Sequence, residues 1–285
     1  MLGIGAAVAR NLAAKGCSLL LVYASDSSRE PISALAQALE SQHGIRCKTV
    51  QADLSQPSRS IEHIISTARN TFSHPKTGRF QIDILINNAG IAGNKKLNDK
   101  ELGPIGEEEF HNLYNVNVLA PLLLTQACDP YFPTDRSGRI VNVSSVSATI
   151  GYAGQSVYAG TKAALEAMTR TWSRELAEKC TVNCITPGPV WGDMYEKAGE
   201  GFWKENQPYV DSAPLSAYRG QEEIKGKAGE GNQERFDETV REGMGGRRPG
   251  FPEEIAGVVG MLCSEESGWT TGSVICSNGG MVMSR

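Results

Sequence analysis

Apolar positions along the chain follow two periods in turn. Ile4, Val8 and Leu12 recur every fourth residue with alanines between them, and Gly16 follows, which predicts an amphipathic helix with a glycine stop. Residues 19–23 form a short continuous apolar run, the pattern of a buried strand. A polar turn over 25–28 leads to Pro31, well suited to a first helical turn, and 32–39 reads as the next helix. Residues 47–52 predict a strand ending at Asp53, 61–72 a helix, and 82–86 a strand running into Asn87-Asn88-Ala89-Gly90. After a polar loop, 107–124 has the period of one long helix. A strand at 139–143 then ends in Ser144-Ser145, a long helix covers 157–177, and a strand at 181–186 ends at Pro187-Gly188. A helix at 252–262 and a strand at 273–276 close the pattern.

Strands alternating with helices predict βαβ units. The expected fold class is therefore α/β, with a doubly wound parallel sheet covered on both faces. The whole of 1–285 is expected to be one domain. Sheets of this kind bind ligands at the C-terminal ends of their strands, so the residues just past each strand carry the functional interest. One segment breaks the rhythm. Residues 194–246 are polar and glycine-rich, with Trp203, Tyr209 and Tyr218 in the first half and a charged, weakly periodic run at 222–242. A stretch of this length between sheet elements is read as a lid over the site, with a solvated insertion as the alternative.

Composition narrows the function classes. The chain has 285 residues and a net charge of −4, without the basic excess of an electrostatic nucleic-acid binder. No apolar run approaches the length of a membrane span, and no secretory signal is visible, which points to the cytoplasm. The seven cysteines are odd in number and irregular in spacing. The CxxxC of Cys180 and Cys184 has no nearby histidine, so no metal site is expected and the thiols read as small buried hydrophobes.

Tyr158 and Lys162 lie four residues apart on one predicted helix and share a face. A free tyrosine titrates near ~10, and a neighbouring ammonium favours the phenolate and lowers that value. The pair can then serve as a tuned general acid/base. Ser145 sits just past a strand, 13 residues before Tyr158. Asn88 and Gly90 follow another strand, and Asn117 lies inside the next predicted helix. Gly3-Ile4-Gly5 opens the first helix, where glycine lets phosphates approach backbone N–H groups.

In order and spacing these residues resemble the short-chain dehydrogenase/reductase family. The likeness is carried by Gly3-Ile4-Gly5, Asp53-Leu54, Asn87-Asn88-Ala89-Gly90, Asn117, Ser145, Tyr158-Ala159-Gly160-Thr161-Lys162 and Pro187-Gly188. Further support comes from 248–256, Thr271-Gly272 and Asn278-Gly279-Gly280-Met281. The resemblance implies a Rossmann-type sheet and an NAD(P)-dependent oxidoreductase of carbonyls and alcohols, habitually a homodimer or homotetramer. The long helices at 107–124 and 157–177 would form the subunit interface. Within the family, the C-terminal Asn-Gly-Gly-Met and the Ser-to-Tyr spacing look most like β-ketoacyl carrier-protein reductases. That likeness suggests a 3-oxoacyl, polyketide-like or other carbonyl substrate.

The resemblance also implies roles. Tyr158 would protonate the carbonyl oxygen, and Lys162 would lower the tyrosine pKa and hold the nicotinamide ribose. Ser145 would orient the substrate oxygen, and Asn117 would anchor a water leading to Lys162. Gly3, Ile4 and Gly5 would lie against the pyrophosphate, Asp53 and Leu54 beside the adenine, and Asn88, Ala89 and Gly90 along the ribose. Pro187, Gly188 and Val190 would line the nicotinamide. After the strand at 19–23 comes Tyr23-Ala24-Ser25 with no carboxylate, which favours NADP(H) over NAD(H), although Asp26 is close by.

Two departures stand out. The family pattern places a strand and a further glycine before Gly3, so the first strand of the sheet is expected to be missing. The family also often has threonine where this chain has Gly192. A truncated non-catalytic homologue and an NAD-dependent alcohol dehydrogenase therefore stay open beside the reductase reading.

Overall fold

The computed structural model describes residues 3–229 and 231–283. In chain order the elements are α1 (Ile4–Ala14), β1 (Leu19–Tyr23), α2 (Arg29–His43), β2 (Cys47–Gln51), α3 (Pro57–Phe72) and β3 (Ile84–Asn87). A two-residue hairpin follows, β4 (Asn98–Asp99) and β5 (Gly103–Pro104), then α4 (Glu107–Tyr114) and α5 (Ala120–Cys128). Next come β6 (Gly138–Val143), a single turn α6 (Ser147–Ile150), α7 (Ser156–Glu175) and β7 (Cys180–Pro187). The chain then runs through α8 (Asp193–Asp211), α9 (Glu222–Gly226), α10 (Gln233–Glu238), α11 (Pro252–Leu262) and β8 (Val274–Ser277).

Four strands pair in the order β3-β6-β7-β8, all parallel, and β1 pairs parallel with β2. No strand among the described residues bonds β1 to β3. The alternation of a strand decides which face each residue serves. Leu85, Ile140 and Val182 pack against Leu165 and Trp172 of α7. Their neighbours Ile84, Ile86, Val141, Val143 and Ile185 pack the other way, against α1 and α11. The sheet is therefore covered on both faces, as expected. Helix α1 joins the two groups of strands: Ala7, Val8 and Leu12 face β6, β7 and α11, while Ala6, Ala9 and Ala13 face Leu35, Ala36 and Leu39 of α2. Its small side chains let neighbours approach on two sides.

One expectation is corrected. The helix expected over 107–124 is interrupted: Asn115–Leu119 forms a π-turn between α4 and α5. The polar segment 194–246, expected as a lid with a solvated insertion as the alternative, is largely helical. It closes on an apolar cluster in which its Tyr218, Phe236, Val240 and Met244 are buried together with Trp191 and Phe251. Helix α8 breaks at Gly199, whose φ of 77° and ψ of 175° only glycine adopts without strain.

Candidate active site

The site is built at the C-terminal ends of β3, β6 and β7. The buried stripe of α7 contains Thr161, Lys162, Leu165, Thr169 and Trp172, spaced three or four residues apart. Tyr158 and Lys162 occupy the first turns of that helix, level with the strand ends. The same periodicity that packs α7 on the sheet therefore carries the lysine indoors.

Lys162 is 3% exposed, and its Nζ donates to the Val143 carbonyl at 2.9 Å. Burial disfavours the charged form and brings its pKa down to about 8, with the Cys184 thiol opposing weakly. Gly90 comes so close that a Cβ there would stand 3.2 Å from Lys162 Nζ and 3.3 Å from Asn117 Oδ1. The structure thus gathers Gly90, Asn117 and Lys162 at one point.

Burial pushes the Tyr158 phenol above its ordinary value, and its hydrogen-bonding neighbour Ser145 works against that rise. The expected lowering by Lys162 is absent. The ammonium is drawn to the Val143 carbonyl and lies 5.6 Å from the Tyr158 ring centroid, so desolvation wins. A tyrosine in this environment is protonated at neutral pH.

Ser145 follows β6 and is partly buried. Its Oγ pairs with Ser147 Oγ at 3.0 Å and accepts the Ser147 N–H at 3.2 Å. Ser147 donates to Gln155 Oε1 at 2.7 Å, and Gln155 Nε2 donates to Asn94 Oδ1 at 2.6 Å.

Asn117 is 1% exposed inside the π-turn, a feature frequent at functional sites. Its Nδ2 donates to Ile91 O at 2.9 Å and to Thr161 Oγ1 at 3.0 Å, and its Oδ1 accepts the Ile91 N–H at 2.9 Å. The side chain clamps the loop after β3 to α7. Both of its N–H donors are thus spent on protein partners, which leaves it no donor for the water assigned to it from sequence.

The remaining expected positions line the same edge. Gly3 is the N-cap of α1, ahead of its free N–H groups, and Ile4 packs into the sheet. A Cβ on Gly5 would stand 2.7 Å from Asn88 Nδ2, so glycine lets the amide of Asn88 sit against the helix. The Asp53 carboxylate accepts the Ser55 N–H at 2.9 Å, Leu54 packs beside Val50 and Ile64, and Ala89 is exposed. Pro187 accepts the Val146 N–H at 3.0 Å, and a Cβ on Gly188 would press on Asn278 at 3.2 Å. Val190 bridges Gly250 through the carbonyl of Pro189 and the N–H of Trp191. Its own N–H and C=O point the other way and take no hydrogen bond among the described residues. Trp191 is 2% exposed in the 194–246 cluster, a packing residue. Gly192 has φ 151° and ψ 177°, a conformation a threonine would strain.

Sequence reasoning missed the polar core beneath the site. Asn87 and Asn142 pair across β3 and β6, with Asn87 Nδ2 on Asn142 Oδ1 at 2.8 Å and Asn142 Nδ2 on Thr169 Oγ1 at 2.8 Å. Two asparagines within apolar strands were a readable signal. Ser147 and Gln155 gave none. Among the described residues no cluster of His, Cys, Asp or Glu could hold a metal ion.

This geometry accompanies a clear kinship. The chain matches the short chain dehydrogenase family over residues 1–202. It belongs to that family and is an oxidoreductase acting on CH–OH and C=O groups with NAD(P). It is 62% identical to an L-xylo-3-hexulose reductase of Hypocrea jecorina, over 99% of this chain and 94% of the relative. It is 56% identical to an L-xylulose reductase of Aspergillus niger, over 98% and 93%. A blue fluorescent protein from a metagenomic library, solved in complex with NADPH, superposes with a TM-score of 0.76 at 30% identity, over 99% of this chain and 94% of that one. The kinship with 3-oxoacyl carrier-protein reductases is more remote, at 32% for that of Thermotoga maritima over 99% of this chain and 94% of the relative. The carbonyl-reductase expectation holds, whereas the 3-oxoacyl and polyketide-like substrates expected from the sequence are not supported: the relatives at 62% and 56% identity are named for sugars.

Proposed function

We propose that this protein reduces an open-chain ketose of five or six carbons, of the L-xylulose or L-xylo-3-hexulose kind, to a polyol with NADPH. The observation that carries the reading is the 62% and 56% identity to reductases named for these sugars, over almost the whole chain, segment 194–246 included. The residues present fit a nicotinamide dinucleotide. Gly90 keeps open a space that a Cβ would fill beside Lys162, and Val190, two residues before the Gly192 that stands where the family often has threonine, offers an N–H and C=O without a partner among the described residues. Gly3, Ile4 and Gly5 would hold the pyrophosphate at the start of α1. Asp53, Leu54, Asn88, Ala89 and Gly90 would border the adenosine and ribose, and Pro187, Gly188 and Val190 the nicotinamide. When bound, the cofactor supplies the hydride.

The protein groups do the rest. Tyr158 donates its phenolic proton to the carbonyl oxygen as a general acid. Ser145 hydrogen-bonds that oxygen and fixes its pose. Lys162 holds the ribose hydroxyls and restores the proton to Tyr158. Asn117 keeps Lys162 and the Gly90 backbone in register.

NADP is favoured by the turn after β1. Ser25, Ser27 and Ser28 cluster their hydroxyls there, with Ser25 Oγ 2.9 Å from Ser27 Oγ and 3.3 Å from Ser28 Oγ. The Asp26 carboxylate, which would repel a 2′-phosphate, is engaged by Arg29 at 2.8 Å and Gln51 at 3.2 Å. Residues 194–246 act as a lid. In support, Tyr209 meets Tyr152 edge-on at 5.0 Å, and the Leu215 N–H donates to Gly279 O at 3.1 Å, so the segment packs against the turn before α7 and the chain that follows β8. The protein assembles as a homodimer or homotetramer through α4, α5 and α7, where Phe110 and Leu119 are exposed.

The test is NADPH oxidation against L-xylulose, L-xylo-3-hexulose, an aromatic ketone and a 3-oxoacyl thioester, repeated with NADH. Turnover should be confined to the ketoses and be better with NADPH. A chain that binds NADPH but leaves both sugars untouched would sink the reading. Tyr158→Phe should cost on the order of 10²–10⁴ in kcat while leaving NADPH binding intact.

A further inference from the structure

The segment that leaves β3 runs alongside the working end of α7. It begins at Gly90, where a Cβ would stand 3.2 Å from Lys162 Nζ. Ile91 follows, with its N–H and C=O both bonded to the Asn117 amide. Three residues later the segment has reached the N-cap of α7, Gln155, whose Nε2 donates to Asn94 Oδ1 at 2.6 Å. The Lys95 N–H then donates to Gly154 O at 2.7 Å. Gln155 precedes Tyr158 by about one helical turn, and Lys162 follows it by another. Along α7, Tyr158 therefore falls between the two contacts of this segment, Gly90 on Lys162 and Asn94 on Gln155.

Asn94 has a donor group to spare. Its Oδ1 is taken by Gln155, which turns Nδ2 the other way, and Nδ2 has no partner among the described residues. Gln155 is itself held: it is 5% exposed, and its Oε1 accepts from Ser147 Oγ at 2.7 Å. Asn94 is exposed, but its neighbours are fastened. A Cβ on Gly93 would come 3.0 Å from Leu113 Cδ2, so glycine seats the segment against α4. Lys95 pairs with Glu109 at 3.0 Å, and Lys96 with Glu205 of α8 at 3.0 Å. Both ammonium groups are thus engaged by carboxylates, while the neutral amide between Gly93 and Lys95 keeps its N–H groups for a ligand. An amide already oriented in this way loses little freedom when it binds one.

We infer that Asn94 is a specificity-determining residue: its amide N–H groups, oriented by Gln155, bind a hydroxyl oxygen of the open-chain ketose while its carbonyl oxygen is held at Tyr158. This rests on the ketose reduction proposed above and deepens it by naming a group that reads the substrate as a polyhydroxy chain. A hydroxyl oxygen completes the amide. A methylene in its place leaves a covered N–H unpaired, which disfavours acyl chains and plain alkyl ketones.

The experiment measures kcat/KM with NADPH for the faster of the two ketoses and for its monodeoxy analogues, each lacking one hydroxyl. The wild type is compared with Asn94→Ala and with Asn94→Leu, which keeps the bulk and removes the polar atoms. Residue 94 is exposed and lies outside the helices and strands, so both chains should fold. On the parent ketose each variant should lose about three- to tenfold, the worth of one neutral hydrogen bond. The same factor should recur on every analogue except one. On that one, which lacks the hydroxyl that Asn94 binds, variant and wild type should be equal, because the interaction is already gone. NADPH affinity, read by tryptophan quenching, should not change. A loss spread evenly over the parent and all analogues would mean a structural role and overturn the assignment, as would no loss on the parent. A wild type that binds NADPH yet leaves both ketoses untouched overturns ketose reduction itself and this assignment with it. A wild type that reduces them beside variants that lose evenly overturns the assignment alone.

Discussion

Lys162 shows how one residue links packing to titration. It lies on the buried stripe of α7, and burial alone brings its pKa from an ordinary lysine value to about 8. The unfolded chain holds that proton up to about pH 10.4. Between about pH 8 and that value the unfolded state binds more protons than the folded one, so this group makes stability rise with pH through the window. Below about pH 8 both states are protonated and the full cost of burying the charge is present, about 3 kcal/mol. Lys162→Met removes the charge and keeps the length. Urea unfolding at pH 7 and pH 10 should show a steeper gain with pH in the wild type than in the variant. Equal pH dependence would place the Lys162 ammonium in contact with water. The sequence put Tyr158 and Lys162 on one face but misjudged their coupling. Helical spacing gives proximity; it carries no information on which carbonyl an ammonium reaches or how deeply a phenol is covered.

At the scale of elements, 194–246 is held by aromatic packing. Phe236 is fully buried and meets Trp191 edge-on at 5.0 Å and Phe251 at 5.2 Å. Phe236→Ala should cost about 3–5 kcal/mol within this cluster, read as faster amide exchange in α8 to α10. Trp191→Phe should stay within about 1 kcal/mol of the wild type by thermal melting, because the indole Nε1 is buried without a partner and its removal forfeits no bond. A large loss there would reveal a partner for Nε1. The helices of this segment were not legible because short helices with polar outer faces show little period, and its core is shared with Trp191 and Phe251 from outside it. The strands around the site were legible because they are continuous apolar runs ending in polar residues. Helix 107–124 was legible as helical but not as broken. The break comes from Asn117 bonding Ile91 and Asn115 bonding Ser55, contacts distant in sequence.

At the scale of the molecule, assembly and internal coupling make separate demands on the helices. If α4 and α5 form the subunit contact, Phe110→Glu should reduce a light-scattering mass of two or four times 30.6 kDa, and an unchanged mass would exclude that face. Internal coupling rests on α1 and α3. The β1–β2 pair shares no strand hydrogen bond with β3-β6-β7-β8 among the described residues, so the two groups are joined by α1 on one face and, on the other, by α3, whose Ile64 packs with Val50 of β2 and Leu124 of α5. One face of α1 packs α2 and the other packs α11, where close approach depends on Gly260. A Cβ there would stand only 2.0 Å from Asn11 Oδ1, an atom already buried without a hydrogen bond. Gly260→Ala therefore has to push α1 and α11 apart or displace Asn11, and overpacking of this kind costs about 1–3 kcal/mol. The loss should appear as a lower urea midpoint by both tryptophan fluorescence and far-ultraviolet circular dichroism. Asn11→Ala in the same chain removes the colliding amide together with its unpaired oxygen and should restore most of the stability, a coupling that a double-mutant cycle measures directly. Additive losses would mean that the α1–α11 contact yields elsewhere along the helix, and that the two groups of strands are joined by something other than this close approach.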